Sequence, residues 1–555
     1  MNNSAIADSF SLLSKLMDIN GENSFKAKSY SSTAFAIEKL PVQLEEIEWH
    51  EIEKLKGIGS SSAKKIQELL RTGKLNQLEE IIFSTPPGVV EMLKIKGIGP
   101  KKINTIWKEM QLESVGELLY ACKENRLKLF KGFGEKTQQT VIENIEFYFR
   151  NKGSFLYAQL IYGAEQFLLF LRNNFPQKRI LVTGEFARQM EVITLLEYIV
   201  EEDLQEIENR LQTQHGLELL EKRNDFILYK TVIGVKVKIF GVTERLIEKY
   251  IETSSSVQFY EKLVQDFSIN KIAESEEDYF GLRNLPFIPP FLREDEETLS
   301  LKTSFTNHLQ PKDIKGLIHC HSNWSDGNNT IEEMAKAAMQ RGMEYMAISD
   351  HSKTATYAQG LKEEQIKAQH QYIDELNIKL SPFKIFKSIE SDILSDGSLD
   401  YSDTILSTFD VVIASVHSNL KMSEEKAMKR LLAAIENPYT TILGHLTGRL
   451  LLSRPSYPLD FKRIIDACAA NHVVIELNAN PNRLDIDWRE IKYALQKNVL
   501  ISVNPDAHSL EGIDDIKYGV LSAQKAMVPK EKNLSSFTLA EFELFIEYRK
   551  KMKHI

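Results

Sequence analysis

Residues 314–555 alternate short apolar stretches with helix-period stretches, and this alternation restricts the fold more than any other feature of the chain. The apolar stretches lack a polar–apolar alternation, which is typical of strands buried on both faces of a parallel sheet. The pattern therefore predicts a parallel α/β barrel. Its predicted strands are Gly316–Ile318, Tyr345–Ile348, Ile385–Ile389, Val411–Ser415, Thr441–Leu443, Val473–Leu477 and Val499–Val503. Its predicted helices are Ile331–Arg341, Glu424–Glu436, Asp460–Ala470 and Trp488–Lys497.

Side chains that bind metals follow most of these predicted strands. The C-terminal strand ends of such a barrel form one rim, so these side chains are expected to converge there. Of the 12 histidines, only His50 and His215 precede residue 300. Histidines and carboxylates gathered at one rim predict a metal site rather than isolated core histidines. The candidate ligands are His319, His321, Asp326, His351, Glu390, His417, His445, Asp506 and His508.

Nine ligands are too many for one ion, and four- or five-coordination with one shared carboxylate suggests three divalent ions. Histidine-rich ligation suits Mn²⁺, Zn²⁺ or Fe²⁺ better than Mg²⁺. Water bound to such an ion becomes hydroxide at neutral pH, so hydrolysis of a phosphate ester is the predicted chemistry. We expect Asp350 to support the ligands rather than to bind an ion.

One short motif occurs three times in the first 150 residues: an apolar residue, then Gly-apolar-Gly, then the start of a helix. The glycines allow a tight turn and let a phosphate approach the backbone. The following helix N-terminus offers free N–H groups and a partial positive charge. This helix-hairpin-helix pattern holds DNA phosphates without reading sequence, so DNA is the predicted partner. The glycines are Gly57, Gly59, Gly97, Gly99, Gly132 and Gly134.

Length and composition limit the remaining possibilities. A chain of 555 residues predicts two to four domains. Cys122, Cys320 and Cys468 are far apart, so no disulfide framework is expected and a reducing compartment fits. The first residues do not have the basic and apolar pattern of a signal peptide, and no apolar run is long enough to span a bilayer. We therefore expect a cytoplasmic monomer without membrane contact. The net charge of −9 argues against nucleic-acid binding through bulk charge.

The N-terminal helical pattern, with the run from Gly21 to Tyr30, resembles the small domain of family X DNA polymerases that holds the 5′-phosphate side of a DNA gap. By this resemblance Lys26 and Tyr30 match phosphate-contacting positions. Lys65 matches the lysine that forms a Schiff base in members with 5′-deoxyribose-phosphate lyase activity. A neighbouring basic position of the family is Ser61 here, so we favour a solvated Lys65 that at most touches phosphate.

Residues 151–290 resemble the α+β palm of the same family. A strand over 179–184 and a hairpin over 225–240 have the expected order. The chain departs from the family at each functional position. The Gly-Ser turn is Gly184-Glu185, the arginine pair is Ala187-Arg188, the Asp-x-Asp positions are Leu195-Leu196-Glu197, and the third aspartate is Lys238. Nucleotidyl transfer needs a dense carboxylate cluster for two metal ions, so we predict an inactive palm.

The barrel region resembles the PHP (polymerase and histidinol phosphatase) domain. By that resemblance Glu390 bridges two ions, with His319, His321 and Asp506 on one and His417 and His445 on the other. Asp326, His351 and His508 would then hold the third ion. Arg449 and Arg454 are candidate phosphate clamps, with salt bridges to nearby acids as an equally favoured alternative.

Taken over its whole length, the chain resembles bacterial family X DNA polymerases with a C-terminal PHP domain. The predicted organisation is a helical region (1–150), a degenerate palm (151–290), a proline-rich linker (291–313) and a distorted (β/α)7 PHP barrel (314–555). The implied activity is metal-dependent 3′→5′ exonuclease action in DNA repair, on gapped or 3′-end-containing DNA by a monomer, with abasic-site cleavage as a second activity. An active gap-filling polymerase, a histidinol-phosphatase-like enzyme and a non-catalytic DNA-end binding module remain alternatives.

Overall fold

The computed structural model describes residues 1–123, 127, 130–151, 153–212, 214–232, 234–267, 271–301, 305, 308–452, 455–553 and 555. The chain divides into two compact units, residues 1–152 and residues 153–555. No helix among the described residues combines the length and apolar character needed to cross a membrane.

The first unit is helical in its described part, and its core is formed by apolar side chains that recur at helical spacing, such as Phe10, Leu13 and Met17 of the first helix. Its helices are α1 (Asn3–Asn20), α2 (Ser24–Glu38), α3 (Trp49–Ile52), α4 (Ser60–Thr72), α5 (Asn76–Ser84), α6 (Pro87–Glu91), α7 (Pro100–Asn104), α8 (Val115–Lys123) and α9 (Glu135–Asn151).

The three predicted Gly-apolar-Gly turns have nearly the same backbone conformation. Their first glycines, Gly57, Gly97 and Gly132, have φ of +89°, +88° and +90°, a region that residues with a Cβ avoid. The central apolar residues are buried, and α4, α7 and α9 begin directly after the second glycines. The motif is therefore one structural device used three times.

The second unit contains a mixed sheet of five strands, which lie side by side in the order 180–183, 196–200, 236–241, 226–231 and 217–222. The predicted hairpin forms the strands 226–231 and 236–241, which pair antiparallel with Tyr229 opposite Val237, and Ile233 lies outside the described residues. The elements are β1 (Phe155–Leu156), α10 (Tyr157–Asn174), β2 (Ile180–Thr183), α11 (Gly184–Ala187), β3 (Val192–Ile193), β4 (Leu196–Val200), α12 (Leu204–Leu211), β5 (Leu217–Lys222), β6 (Phe226–Thr231) and β7 (Lys236–Gly241).

Three short helices and the segment after them connect this sheet to the barrel. They are α13 (Leu246–Thr253), α14 (Val257–Asp266) and α15 (Glu276–Gly281). Part of the predicted linker is packed, because Phe291, Leu292 and Leu299 are buried in a cluster with residues of these helices. The predicted domain boundaries within this unit stay predictions.

The described residues from 314 onward form seven parallel strands in sequential order, with helices between them. The strands are β8 (Gly316–Cys320), β9 (Tyr345–Ile348), β10 (Lys384–Asp392), β11 (Val411–Ser415), β12 (Ile442–Leu443), β13 (Val474–Asn478) and β14 (Ile501–Asn504). The helices are α16 (Ile331–Gln340), α17 (Glu363–Lys379), α18 (Asp403–Leu406), α19 (Glu424–Glu436), α20 (Phe461–Asn471), α21 (Trp488–Gln496), α22 (Ile516–Lys525) and α23 (Leu539–Lys553).

The barrel is nearly closed. A parallel bridge between Cys320 and Ala507 joins the end of β8 to the residues that follow β14. Every residue of β8, β9, β11, β13 and β14 is buried, as expected for strands covered on both faces. The predicted multidomain organisation and seven-stranded α/β barrel are confirmed.

Candidate metal centre

The nine predicted ligands lie at the carboxyl ends of the barrel strands. Three of them, His319, His445 and Asp506, have positive φ values of 61°, 21° and 53°. Such a conformation costs on the order of 1–3 kcal/mol for a residue with a Cβ and is often retained at functional sites. The backbone at this rim is thus held in a shape that aims these side chains inward.

Glu390, at the centre of the cluster, has a fully buried carboxylate. Its Oε1 lies 3.2 Å from His319 Nε2, 3.2 Å from His417 Nε2 and 3.0 Å from His445 Nε2. Its Oε2 lies 2.9 Å from His351 Nδ1. The two oxygens of this carboxylate thus face different histidines, and the bridging role of Glu390 stays a prediction.

Three groups in the described residues have ligand atoms that all lie within 4.8 Å of one another. Each group shares a histidine with another one, either His321 or His351, so the three groups form one continuous cluster. The outermost group is the most exposed, because the side chains of Asp326 and His508 are 30% and 39% accessible. The groups are His319, His321 and Asp506; His351, Glu390 and His417; and His321, Asp326, His351 and His508.

Two further buried carboxylates contact the Nδ1 atoms of candidate ligands, on the side of each ring away from Glu390. Glu476 Oε2 lies 2.6 Å from His319 Nδ1, and Asp392 Oδ1 lies 2.5 Å from His417 Nδ1. Each pair leaves the Nε2 atom of the ring directed at Glu390. Sequence reasoning missed both acids, although a lone glutamate in the apolar run of β13 was a signal.

The buried charges influence one another strongly. Burial alone raises the pKa of Glu390, but His417, His319 and His351 outweigh it and hold that pKa well below its usual value. Burial, assisted by His508 and His351, lowers the pKa of His321 well below the usual value. Protons on His417, His319 and His351, whose own pKa values are raised, supply the positive charge around Glu390 that divalent ions would supply when bound.

The donor set fits divalent metal ions. His319 Nε2 is buried and makes no hydrogen bond, although it lies 3.2 Å from Glu390 and 3.4 Å from Asp506. Burying a polar atom in this way is costly unless a further partner satisfies it. An ion held by the imidazole and the two carboxylates is such a partner.

Asp350 lies next to the ligands but points to the loop that follows β8. Its carboxylate accepts hydrogen bonds from the Ser322 amide (2.7 Å), the Ser322 hydroxyl (2.7 Å), the Ser325 hydroxyl (2.6 Å) and Gln369 Nε2 (2.7 Å). Burial raises its pKa, and these four donors oppose that rise. Asp350 thereby fixes the loop that carries Asp326, which agrees with a supporting role.

The predicted phosphate clamps differ in position. Arg449 is engaged with protein groups: Nη1 lies 2.5 Å from Asp487 Oδ2, Nε donates to Arg483 O at 3.0 Å, and Nη2 donates to Leu484 O. The salt-bridge alternative therefore describes the contacts of Arg449. Arg454 lies outside the described residues.

The predicted DNA-contacting side chains of the first unit have different environments. Lys26 is exposed, and Lys65 is half-buried with its Nζ 5.8 Å from the centre of the Tyr30 ring. Tyr30 is buried and packs edge-on against Phe10 at 5.8 Å between ring centroids. Lys26 is thus open to solvent and Lys65 partly so, whereas Tyr30 belongs to the core.

Comparison with known proteins supports both parts of the chain. A helix-hairpin-helix domain matches residues 1–75, a SAM-like helix-hairpin-helix tandem matches residues 89–146, and a PHP domain matches residues 318–480. The predicted helix-hairpin-helix region and PHP domain are confirmed. Because the PHP domain is a metal-dependent hydrolase domain, the chain is an enzyme of the hydrolase type.

One similarity extends over the whole chain. It is 30% identical to the DNA polymerase/3′-5′ exonuclease PolX of Bacillus subtilis (strain 168), covering 96% of this chain and 97% of that protein. Shorter similarities reach a probable phosphatase of Caldanaerobacter subterraneus subsp. tengcongensis (33% identical; 27% of this chain and 56% of that protein). They also reach the probable phosphatase YcdX of Escherichia coli O81 (26% identical; 29% and 62%).

Proposed function

This chain belongs to the PolX family of bacterial DNA polymerase/3′-5′ exonucleases, and from that premise we propose that it is a metal-dependent 3′→5′ exonuclease acting in DNA repair. Hydrolysis takes place in the PHP barrel, and the helix-hairpin-helix turns hold gapped or 3′-end-containing DNA. The observation that carries this proposal is the convergence of eight histidine and aspartate side chains on Glu390, which makes nine candidate ligands in one cluster. Abasic-site cleavage is a second reaction of the same centre.

The proposed occupants are three divalent ions, Mn²⁺ or Zn²⁺ with Fe²⁺ as a further candidate. His319, His321 and Asp506 would hold one, and Glu390 with His417 and His445 the next. Asp326, His351 and His508 would hold the third, nearest the solvent. When bound, such ions lower the pKa of a coordinated water and neutralise charge on the phosphodiester.

We further propose that the palm no longer transfers nucleotides. The predicted metal position contains an ion pair, because Lys238 lies opposite Glu197 across β4 and β7 with Nζ 3.6 Å from Oε1. The carboxylate of Glu197 also lies directly against Gly184 of the former triphosphate turn. A lysine in place of a metal-binding carboxylate repels a divalent ion instead of holding it.

Arg188, the arginine retained at the position of the family's triphosphate site, is bound to protein groups. Arg188 Nε lies 2.5 Å from Glu294 Oε1, and Arg188 Nη1 donates to the carbonyls of Thr253 and Ser255 at 3.4 and 3.2 Å. Glu185 adds a negative charge beside it and accepts a hydrogen bond from the Thr194 amide at 2.6 Å. These contacts favour the inactive palm over a gap-filling polymerase.

A small-molecule phosphatase is the second candidate function, because the barrel is similar to proteins described as probable phosphatases. The helix-hairpin-helix turns argue against it, since a phosphatase of small esters has no use for DNA-holding modules.

One experiment separates these functions. Protein is incubated with 5′-labelled gapped DNA and Mn²⁺, with and without dNTPs, beside His319→Ala and the exposed control His215→Ala. We expect stepwise shortening from the 3′ end that persists in His215→Ala and falls at least about 10²-fold in His319→Ala. Primer extension would support the polymerase, and release of phosphate from small esters without DNA cleavage would support the phosphatase.

A further inference from the structure

Arg483 lies on the loop that joins β13 to α21, at the rim that carries the metal ligands. Its Nε is 4.0 Å from Asp506 Oδ2, and its side chain is 19% exposed. The other oxygen of Asp506 faces the histidines, 3.1 Å from His321 Nε2 and 3.4 Å from His319 Nε2. Arg483 thus approaches the cluster across Asp506.

The Arg483 guanidinium makes no hydrogen bond to any described residue, and Asp506 is the one carboxylate within ion-pair distance in that set. Its planar group retains all five N–H donors, which match the oxygens of a phosphate in pairs. Arg449, in contrast, uses its donors on Asp487 and on two backbone carbonyls.

The main chain around Arg483 is held firmly. Its amide donates to Asn480 O at 2.8 Å, and its carbonyl accepts from Arg449 Nε at 3.0 Å. Asp485, buried two residues later, accepts from the amide (3.0 Å) and the hydroxyl (2.9 Å) of Thr447. The loop is thereby fixed to the segment that follows His445, so a group on it is positioned relative to the ligands.

We propose that Arg483 contacts the phosphate of the scissile phosphodiester, and that Arg449 is a positioning residue that holds the Arg483 loop. This inference rests on the proposed function. Asp506 places one negative charge between this guanidinium and the proposed divalent ions, and a second anion is favoured there because one carboxylate does not offset the charge of a divalent ion and an arginine. A phosphodiester of the substrate supplies that anion, and its charge rises during hydrolysis, where a preorganised donor has its largest effect.

The test uses the full chain loaded with Mn²⁺ and two substrates, 5′-labelled gapped DNA and bis(p-nitrophenyl) phosphate. We expect Arg483→Ala to lower kcat on both by about 10²–10³-fold, with partial recovery in Arg483→Lys and on addition of guanidinium.

Calorimetric titrations are expected to show unchanged Mn²⁺ affinity and stoichiometry, and weaker binding of inorganic phosphate to the loaded variant. Arg449→Ala is expected to lower kcat and the affinity for inorganic phosphate by smaller factors than Arg483→Ala does. Arg463→Ala, at an exposed position on α20, is the matched control.

Each alternative result has a defined meaning. Wild-type kcat in Arg483→Ala overturns the phosphate contact and leaves the proposed nuclease intact. Loss of Mn²⁺ binding in Arg483→Ala also overturns it, because the arginine would then act only as a counter-charge to Asp506. If the wild-type protein hydrolyses neither substrate, the proposed function itself fails, and the contact fails with it.

Discussion

At the level of single residues, the most informative feature of the metal centre is the pair of acids behind its histidines. A carboxylate that accepts a hydrogen bond from Nδ1–H fixes the tautomer and leaves Nε2 as the metal ligand. Glu476 does this for His319 and Asp392 for His417. Glu476 also contacts a second candidate ligand, because its Oε1 accepts a hydrogen bond from the His445 amide at 3.0 Å.

We expect Glu476→Gln to weaken Mn²⁺ binding by about 10- to 100-fold, because an amide holds the His319 tautomer less strongly than a carboxylate does. Asp392→Asn should have a similar effect through His417. Titration calorimetry on the full chain measures the affinity directly, without reference to activity.

The matched control is an acid that touches no candidate ligand. Asp466→Asn, at an exposed ion pair with Lys497, should leave the Mn²⁺ affinity unchanged. Equal metal affinity in Glu476→Gln and the wild-type chain would show that the acid is only a core hydrogen-bond acceptor.

The candidate ligands could be predicted because each follows a recognisable apolar strand. Glu476 gave a different signal, a lone glutamate inside the predicted apolar strand Val473–Leu477, and this position does not by itself identify its partner. Whether a carboxylate in a strand faces a ligand or a salt-bridge partner depends on contacts between distant parts of the chain. Asp392 shares a face with Glu390 two residues earlier, and that spacing was a usable signal.

At the level of secondary structure, the barrel strands were predictable because uniform burial leaves continuous apolar runs. The structure extends β10 to Asp392 and begins β14 at Ile501, so the differences lie at strand ends. Helix α17 was not among the predicted helices. Its inward face includes Gln369, a polar residue that is buried because it donates to Asp350, and this interrupts the apolar period.

The two glycines of each helix-hairpin-helix turn differ: the first adopts a positive φ, and the second does not. At Gly57 a side chain is strained, because φ is +89° and a Cβ would lie 2.9 Å from Ala36 Cβ. At Gly59 and Gly134 no atom lies within 4 Å of an added Cβ, and neither has a positive φ. Space and φ therefore do not require glycine at these two positions, which stand where DNA phosphate would approach α4 and α9.

We expect Gly59→Leu and Gly134→Leu each to weaken binding to gapped DNA by about 10-fold, since the side chain blocks one phosphate contact. Thermal unfolding should change little, because the positions are open. Fluorescence anisotropy with labelled DNA at fixed salt concentration measures the affinity.

Gly116→Leu is the matched control, as it adds the same side chain at an exposed position of α8 in the same unit. If all three variants bind DNA as the wild type does, the turns do not contact the phosphates.

At the level of the whole molecule, residues 153–555 form one compact unit in which the palm sheet packs with the barrel. Glu191 near β3 accepts from Arg489 Nη1 at 2.7 Å and from Trp488 Nε1 at 3.3 Å. Arg489 also pairs with Asp487 at 2.9 Å, the acid that holds Arg449. The sheet of residues 180–241 can therefore support the loop beside the metal centre independently of any nucleotide transfer.

The predicted linker shows why this arrangement was not accessible from sequence. Proline and acidic residues favour an extended connection, yet Arg293 is fully buried and donates to Ile288 O at 2.8 Å and to Ser254 Oγ at 2.6 Å. It also pairs with Glu276. Composition cannot show such packing, because the partners come from segments that are separate in the chain.

Lys525 lies where the sheet of residues 180–241 contacts the barrel, and its pKa reports whether water is excluded there. Its Nζ donates to Arg188 O at 2.7 Å and lies 4.7 Å from the centre of the Trp488 ring. Burial lowers the pKa of Lys525 to about 8. Between pH 8 and the ordinary lysine pKa near 10.5, the unfolded chain holds a proton that the folded chain releases, so stability contributed by this residue rises with pH.

We therefore expect the free energy of unfolding of the wild type, relative to Lys525→Met, to be constant below about pH 8 and to increase by about 3 kcal/mol up to pH 10.5. Urea unfolding followed by tryptophan fluorescence measures it, with Trp488 as the neighbouring probe. Lys462→Met, at an exposed position of α20, should run parallel to the wild type over this range. Parallel curves for Lys525→Met as well would mean that Lys525 keeps an ordinary pKa, and that the palm and barrel do not exclude water from it in solution.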